Sequence, residues 1–288
     1  MKLKGKLSMR LLKKGIFIAI IAAGGWWAWE NQPLLVETID QYVNNGDILT
    51  LEARFTPEQI MNANRRQLLA DNKHAFREPS LKFHPYLLME SKYTGYDGRT
   101  REGTMLWSLV DGEMVIDTDS WERTHGFQDA LEVGATRNDF KIINGIARHG
   151  AITREELSKD LHVDQDTLEP WIESTKQKHL VVQKGNKLQL HLQNPKILVA
   201  PQTEIRHWLV TKPYSHMQRL NKKYSSRQIE KVAKAAFGTD FTVRNMKEIS
   251  LPVYLIEVEN PDGSIHTTYW NALNGQQVTA QPLAYNRR

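Results

Sequence analysis

Glu90 and Lys92 stand one residue apart at the end of an apolar run, Leu87-Leu88-Met89-Glu90-Ser91-Lys92. In a metal-dependent hydrolase or nuclease, the carboxylate of such a pair binds a divalent ion and the ammonium polarises the attacking water. That chemistry also needs an Asp on a preceding strand. The nearest upstream Asp is Asp71, at an expected helix end. So short a pattern arises readily by chance, and an exposed ion pair on a strand is the plainer reading. Asp117, Asp119 and His125, in DTDSWERTHGF, form the densest Asp/His cluster. A metal or acid–base site there competes with a capped turn packed on the preceding hairpin by Trp121 and Phe127. The other His are scattered without metal-ligand spacing, and there is no phosphate loop, no G-x-S-x-G and no Cys. No catalytic residue, metal or cofactor is expected. A hydrolase or nuclease using Glu90 and Lys92 is the enzymatic rival.

Cations offer a second kind of chemistry. Lys223, Arg227, Lys231 and Lys234 fall at i, i+4, i+8 and i+11, on one face of an expected helix. They suit an acidic partner or anionic headgroups, or are simply a solvated face. The net charge of +5 invites a nucleic-acid reading, but residues 1–14 alone carry six cations and no acid. The remainder of the chain is slightly acidic, so the positive balance is not a phosphate-binding footprint.

The elements that position these residues are partly legible. Ile48 to Phe55 alternates as a strand. Thr56-Pro57-Glu58-Gln59 is a capping box opening a helix from Pro57 to about Asp71. Leu81 to Tyr93 reads as a strand, and Met105 to Val110 and Glu113 to Asp117 flank the hairpin signal Asp111-Gly112. Together these make a small α+β module. Asp139 to His149 places Phe140, Ile143, Ile146 and Ala147 on one stripe, ended by Gly150. A capping box at Thr153-Arg154-Glu155-Glu156 opens a short helix to Leu161. A third helix runs from about Gln165 to Lys178, and two short strands alternate around Gly185-Asn186. Three helices closed by a hairpin, LSKDLHVDQDTLEPWIESTKQKHLVVQKGNKLQL, resemble the winged helix-turn-helix family.

The resemblance implies a recognition helix that meets DNA with its N-terminal half. Here that half reads Asp164-Gln165-Asp166-Thr167-Leu168-Glu169-Pro170, with three carboxylates and no cation. Lys176, Lys178, Lys184 and Lys187 are the cations placed to touch a backbone. The segment 138–196 carries nine Lys/Arg against eight Asp/Glu, far from a surface that neutralises about 6–10 phosphates. Nucleic acid is therefore not the expected partner. Further on, a helix over 225–237 is followed by PVYLIEVENPDGSIHTTYWNALNGQQV, which is similar to PepSY-type domains. Asn271 and Asn274 stand where that family carries Asp and Thr. The resemblance implies an extracytoplasmic interaction or inhibitory module.

The N-terminus carries a topology signal. Lys2 to Lys14 is basic, Gly15 to Trp29 is uncharged, and Trp26, Trp27 and Trp29 cluster at its end. A basic flank with Lys13 and Lys14 snorkelling, an apolar run and a Trp belt predict a membrane helix contacting lipid. Its 15 uncharged residues are short for a span of roughly 17–25. A cleaved signal peptide is the competing reading. Positive flanks predict a cytoplasmic N-terminus and an extracytoplasmic body at the cell membrane. The expected architecture is thus α+β: a basic tail and transmembrane helix (1–30), a module (31–130), a winged helix (137–193), a connector (194–221) and a PepSY-like helix with antiparallel strands (222–288). The expected function is a membrane-anchored, non-enzymatic interaction or scaffold protein with a protein partner. The alternative is a membrane-tethered winged-helix regulator that binds DNA.

Overall fold

The structure, a computed structural model, describes residues 47–278 apart from 70, 72, 96 and 214–217. The chain opens with β1 (Asp47–Leu51), α1 (Pro57–Ala63) and α2 (Arg65–Leu68), followed by β2 (Ala75–Phe76), β3 (Ser80–Thr94), β4 (Thr100–Ser108), β5 (Met114–Asp117) and β6 (Glu122–Arg123). Next come α3 (Phe127–Glu132), α4 (Arg137–His149), β7 (Ala151–Thr153), α5 (Arg154–Leu161), α6 (Gln165–Gln177), β8 (Val181–Lys184) and β9 (Lys187–Leu190). The last part holds β10 (Leu209–Pro213), β11 (Gln218–Arg219), α7 (Ser226–Phe237), β12 (Thr242–Glu259), β13 (Ile265–Asn271) and β14 (Gln277–Val278).

The architecture is mixed α+β around one large sheet. Its main path is β10-β1-β12-β3-β4-β5-β6, with β13 and β14 continuing beside β12. The segment 137–193 supplies α4, α5, α6 and a separate three-stranded sheet ordered β7-β9-β8. Strand β12 joins two parts of the sheet: Thr242–Pro252 pairs antiparallel with β3, and Val253–Glu259 pairs with β13. The boundaries expected at 130 and 222 therefore run between strands that share one sheet.

Pro85 lies inside β3 and Pro252 inside β12, yet both strands run through. Each proline sits where a neighbouring strand has just ended. The Pro85 carbonyl accepts from Leu109 N, beyond the end of β4, at 3.1 Å. The Pro252 carbonyl accepts from Ala272 N, beyond β13, also at 3.1 Å. In a strand the N–H and C=O of one residue point the same way, so the missing donors face positions where no ladder continues. The expected helix from Pro57 to Asp71 does break, at Asn64. Its Nδ2 donates to the Ile60 carbonyl at 2.9 Å, the side-chain competition with the backbone that makes Asn a poor interior helix residue.

One face of the sheet is covered by helices. Leu87, Met89, Met105 and Trp107 pack there with Phe140, Ile143 and Ile146 of α4 and with Ile229 and Val232 of α7. Aromatic rings chain these layers together. Phe127 lies 4.8 Å from Trp107 on β4, 5.9 Å from Phe140 on α4 and 6.1 Å from Phe237 on α7. The β4–β5 hairpin reaches this layer as well. Glu113 accepts from Gly126 N at 2.9 Å and Gln128 N at 3.0 Å, supplying the donors of α3 with an acceptor. Gly112 is required at the hairpin tip. Its φ is +76°, and an added Cβ would stand 2.3 Å from Leu131 Cδ1.

The membrane expectation is corrected here. Among the described residues no helix is long and apolar enough to cross a membrane. The longest, α4 and α6, have 13 residues each and amphipathic faces, against roughly 17–25 apolar residues for a span. The segment 1–30, with Lys13, Lys14, Trp26, Trp27 and Trp29, lies outside the described residues. The transmembrane helix, the single-pass localisation with its extracytoplasmic body, and the lipid contact are accordingly not carried forward.

Candidate functional site

Residues singled out for chemistry are dispersed by the fold. Glu90 and Lys92 are exposed on β3, opposite Thr104 and Glu102 of β4. Asp71 bonds Lys73 N and His74 locally and does not approach them. Asp117 accepts from Asp119 N at 3.0 Å and from Ser120 Oγ at 2.8 Å. These bonds, the Asp119 amide first, hold its carboxyl below the usual range. His125 turns away to the Asn194 carbonyl at 3.2 Å. Among the described residues, no group of three or more His, Asp or Glu is placed to hold a metal ion.

Several of the cations are held in ion pairs. On α6, Lys176 meets Glu173 at 2.6 Å, and Lys178 meets Asp139 at 2.5 Å. Asp139 is 1% exposed and also accepts from Thr136 N at 2.6 Å and Ser174 Oγ at 3.1 Å. Burial raises its pKa, but the Lys178 and Thr136 bonds outweigh that and leave it lowered. Arg154 of α5 holds Glu169 at 3.0 Å. The exposed N-terminal half of α6 then shows Gln165, Asp166, Thr167 and Pro170, with Asp164 capping at Thr167 N. Lys184 and Lys187 face each other across the β8–β9 hairpin, both exposed. Just before the last helix Lys223 pairs with Glu132 at 2.6 Å, and on it Lys234 pairs with Glu230 at 2.5 Å; Arg227 and Lys231 of this helix are also exposed.

The fold creates a site that the residue patterns do not mark. The segment 194–207, expected as a connector, returns from the 137–193 unit as a strap across β4 and β5. Its Lys196 pairs with His125, Thr203 N donates to the Thr104 carbonyl at 2.8 Å, and Glu204 N donates to the Ile116 carbonyl at 2.8 Å. Gly103 lets the strap close on the sheet, since a Cβ there would stand 2.8 Å from the Pro201 carbonyl. Between the strap, the end of β3, α4 and the end of α7 lies a cleft of about 370 Å³. Tyr93, Leu198, Val199, Pro201, Ala236 and Phe237 make its apolar walls. Asp97 and Arg101, paired at 2.9 Å, and Thr94 stand at its rim. Leu198 is 47% exposed. The apolar run Ile197-Leu198-Val199-Ala200-Pro201, inside the stretch 194–221 expected as a connector, is the signal that marks it.

A second arrangement unites distant residues. His207, not His125, comes to the Asp117–Asp119 turn, with its Nδ1 3.0 Å from Thr118 Oγ1 and its Nε2 3.7 Å from Asp119 Oδ1. Arg206 reaches Asp119 at 3.3 Å and Arg54 at 3.6 Å. Nothing local in the sequence ties His207 to Thr118, 89 residues earlier.

No family model matches the chain, and neither a curated protein nor a solved structure matches it, so the winged-helix and PepSY likenesses stand on their residues alone.

Proposed function

We propose that the chain is a non-enzymatic protein-interaction protein whose cleft receives an apolar side chain of its partner. The cleft between strap, α4 and α7 carries this reading. It has apolar walls, a charged rim, and a volume of about 370 Å³ at the low end of ligand-sized pockets. An anchor residue in such a pocket, ringed by polar groups, is how protein interfaces concentrate binding energy. The acidic face of α6 supports protein rather than phosphate contact for the 137–193 unit. Its carboxylates at Asp164 and Asp166 would repel a nucleic-acid backbone, and Lys176 and Lys178 are held in ion pairs.

A photo-crosslinking residue in place of Leu198, in the full chain within cells that make it, tests this. The expected result is an adduct with another protein that disappears when Ala236→Trp fills the cleft. No adduct, or one indifferent to Ala236→Trp, overturns the reading. The DNA-binding alternative draws on Lys184 and Lys187 at the hairpin tip. It requires duplex binding by the full chain with a steep salt slope that flattens when both are replaced by Ala.

A further inference from the structure

One end of the main sheet path is β10, and among the described residues it pairs only with β1. The direction of its backbone groups follows from one bond. Just before β10, the Trp208 carbonyl accepts from Glu52 N at 2.9 Å. Hydrogen-bonded pairs alternate along an antiparallel ladder, so Val210 and Lys212 carry the bonds to Thr50 and Ile48. Leu209, Thr211 and Pro213 therefore turn their main-chain groups away from β1. Pro213, which has no N–H to offer, suits that open side. Side chains alternate as well. Leu209 and Thr211 are exposed on one face, and Trp208, Val210 and Lys212 share the other. Trp208 is 78% exposed, more than any other large apolar side chain among the described residues. An open row of donors and acceptors thus runs beside a bare indole, the residue type most often found anchoring protein contacts.

We propose that β10 pairs antiparallel with β10 of a second copy of this chain, about a twofold axis at Val210. In that register Leu209 of each copy exchanges both main-chain bonds with Thr211 of the other. The four bonds use every outward donor of the two strands. Val210 meets Val210 in the close, non-hydrogen-bonded position. Trp208 stands opposite Lys212 of the second copy, whose ammonium can lie on the indole face. Charge favours a copy as the occupant. The only charge on β10 is Lys212. The twofold sets each Lys212 against an aromatic face and keeps the two cations four residues apart in register. Each exposed feature of the strand thus finds its complement on the same strand, as an isologous interface requires. Lys and Pro commonly blunt open edges, but neither blocks this pairing. Pro213 lies just beyond the four bonds, and it selects the register. A twofold at Thr211 would set Pro213 against Leu209 and leave the Leu209 carbonyl without a donor. The pairing is short, so the dimer is weak and depends on concentration.

The chain has no Cys, so single cysteines in the full chain report the pairing. In Val210→Cys the two thiols would face each other with Cα atoms about 4.5 Å apart, within disulfide reach. In Thr211→Cys they would be two residues out of register, about 8 Å apart and beyond it. Thr211 is exposed and Val210 half-buried, so random collision favours Thr211→Cys and the twofold favours Val210→Cys. Under mild oxidation Val210→Cys should form linked dimers at least about tenfold faster. Sedimentation of the unaltered chain should show a dimer that grows with concentration. Thr211→Pro removes two of the four bonds and keeps those to β1, which Val210 and Lys212 make, so it should abolish the dimer. Trp208→Ala should weaken it by about tenfold, because both copies lose the cation–π contact. A chain that stays monomeric, linkage of Thr211→Cys as fast as Val210→Cys, or a dimer indifferent to Thr211→Pro and Trp208→Ala overturns the proposal. If Thr211→Pro does not fold, the two cysteine variants and Trp208→Ala decide.

Discussion

The two faces of the central sheet are built on different physics. The helix-covered face is closed by Trp107, Phe127, Phe140 and Phe237, rings in contact at 4.8–6.1 Å. The opposite face gathers Leu51, Tyr86, Leu88, Leu106 and Leu251, but in smaller number. Beside them it encloses His84, whose ring meets Tyr269 of that cluster at 6.5 Å, and at the turn below β5 it encloses His207. The Nε2 of each His is cut off from water without a hydrogen-bond partner. Apolar contacts do not titrate, so mild acid should act on this molecule first through its second face.

The largest effect should come from breaking the first face. Phe127 is fully buried and touches rings from β4, α4 and α7, so Phe127→Ala removes the common neighbour of three layers. The cost is expected at about 3–5 kcal/mol, read as a fall in the urea midpoint of the full chain. Next is the ionic tie within the same layer. Asp139→Ala leaves the Lys178 ammonium without its carboxylate and the Thr136 amide without its acceptor. A loss of about 3 kcal/mol at neutral pH is expected. Because the Asp139 pKa lies below its ordinary 3.8, this contribution is present above that value and disappears as pH falls through the folded one. The difference between parent and variant should therefore shrink only in strong acid.

The second face should respond at milder pH. Burial, against the Asp111 charge, pushes His84 down from 6.5 to about 4. A folded pKa below the unfolded value gives stability that is full above pH 6.5 and lost as pH falls towards about 4. That window corresponds to about 3 kcal/mol at 1.36 kcal/mol per pKa unit. His84→Phe, of similar size and without a proton to take up, should flatten the stability profile between those limits. A profile of unchanged steepness would mean that His84 is hydrated or paired in solution.

How much of this was legible follows the range of the interactions. The capping boxes at Thr56, Thr153 and Ser225 close within four residues, and all three form as their residues indicate. The hairpin at Gly185-Asn186 is equally local and equally legible. The box at Thr136 and Asp139 is just as local, but the apolar stripe alone begins the helix at Asp139. The pairing of β3 with β12 joins Tyr86 to Ile249, and no local pattern names a partner so far along the chain. Both prolines argue against continuous strands until the ends of β4 and β13 are known. The cleft depends on the strap, and the strap on carbonyls of β4 and β5, so it could not be read before the sheet. The clustering of Asp117 with Asp119 was visible. That its histidine would be His207 was not.

The smallest of these effects probes where backbone, not side chains, closes the first face. Gly103 lies opposite Ser91 on β3, and its missing Cβ is the space occupied by the Pro201 carbonyl and the Tyr93 ring. In Gly103→Ala the added carbon would stand 2.8 Å from that carbonyl and 3.0 Å from the ring edge. The ring is held by a hydrogen bond from Tyr93 Oη to Gln202 on the same strap, at 3.2 Å, so neither neighbour yields independently. The strap must lift as a unit, at an expected cost of about 1–3 kcal/mol for overpacking. Gly98→Ala is the control. Its φ of +71° imposes backbone strain, but a Cβ there meets nothing within 4 Å. It should cost about 1 kcal/mol and leave the strap in place. If lifting the strap is what Gly103→Ala does, exchange of the Thr203 and Glu204 amides should accelerate in that variant and not in the control. Equal exchange in both would mean that the sheet, rather than the strap, absorbs the extra carbon.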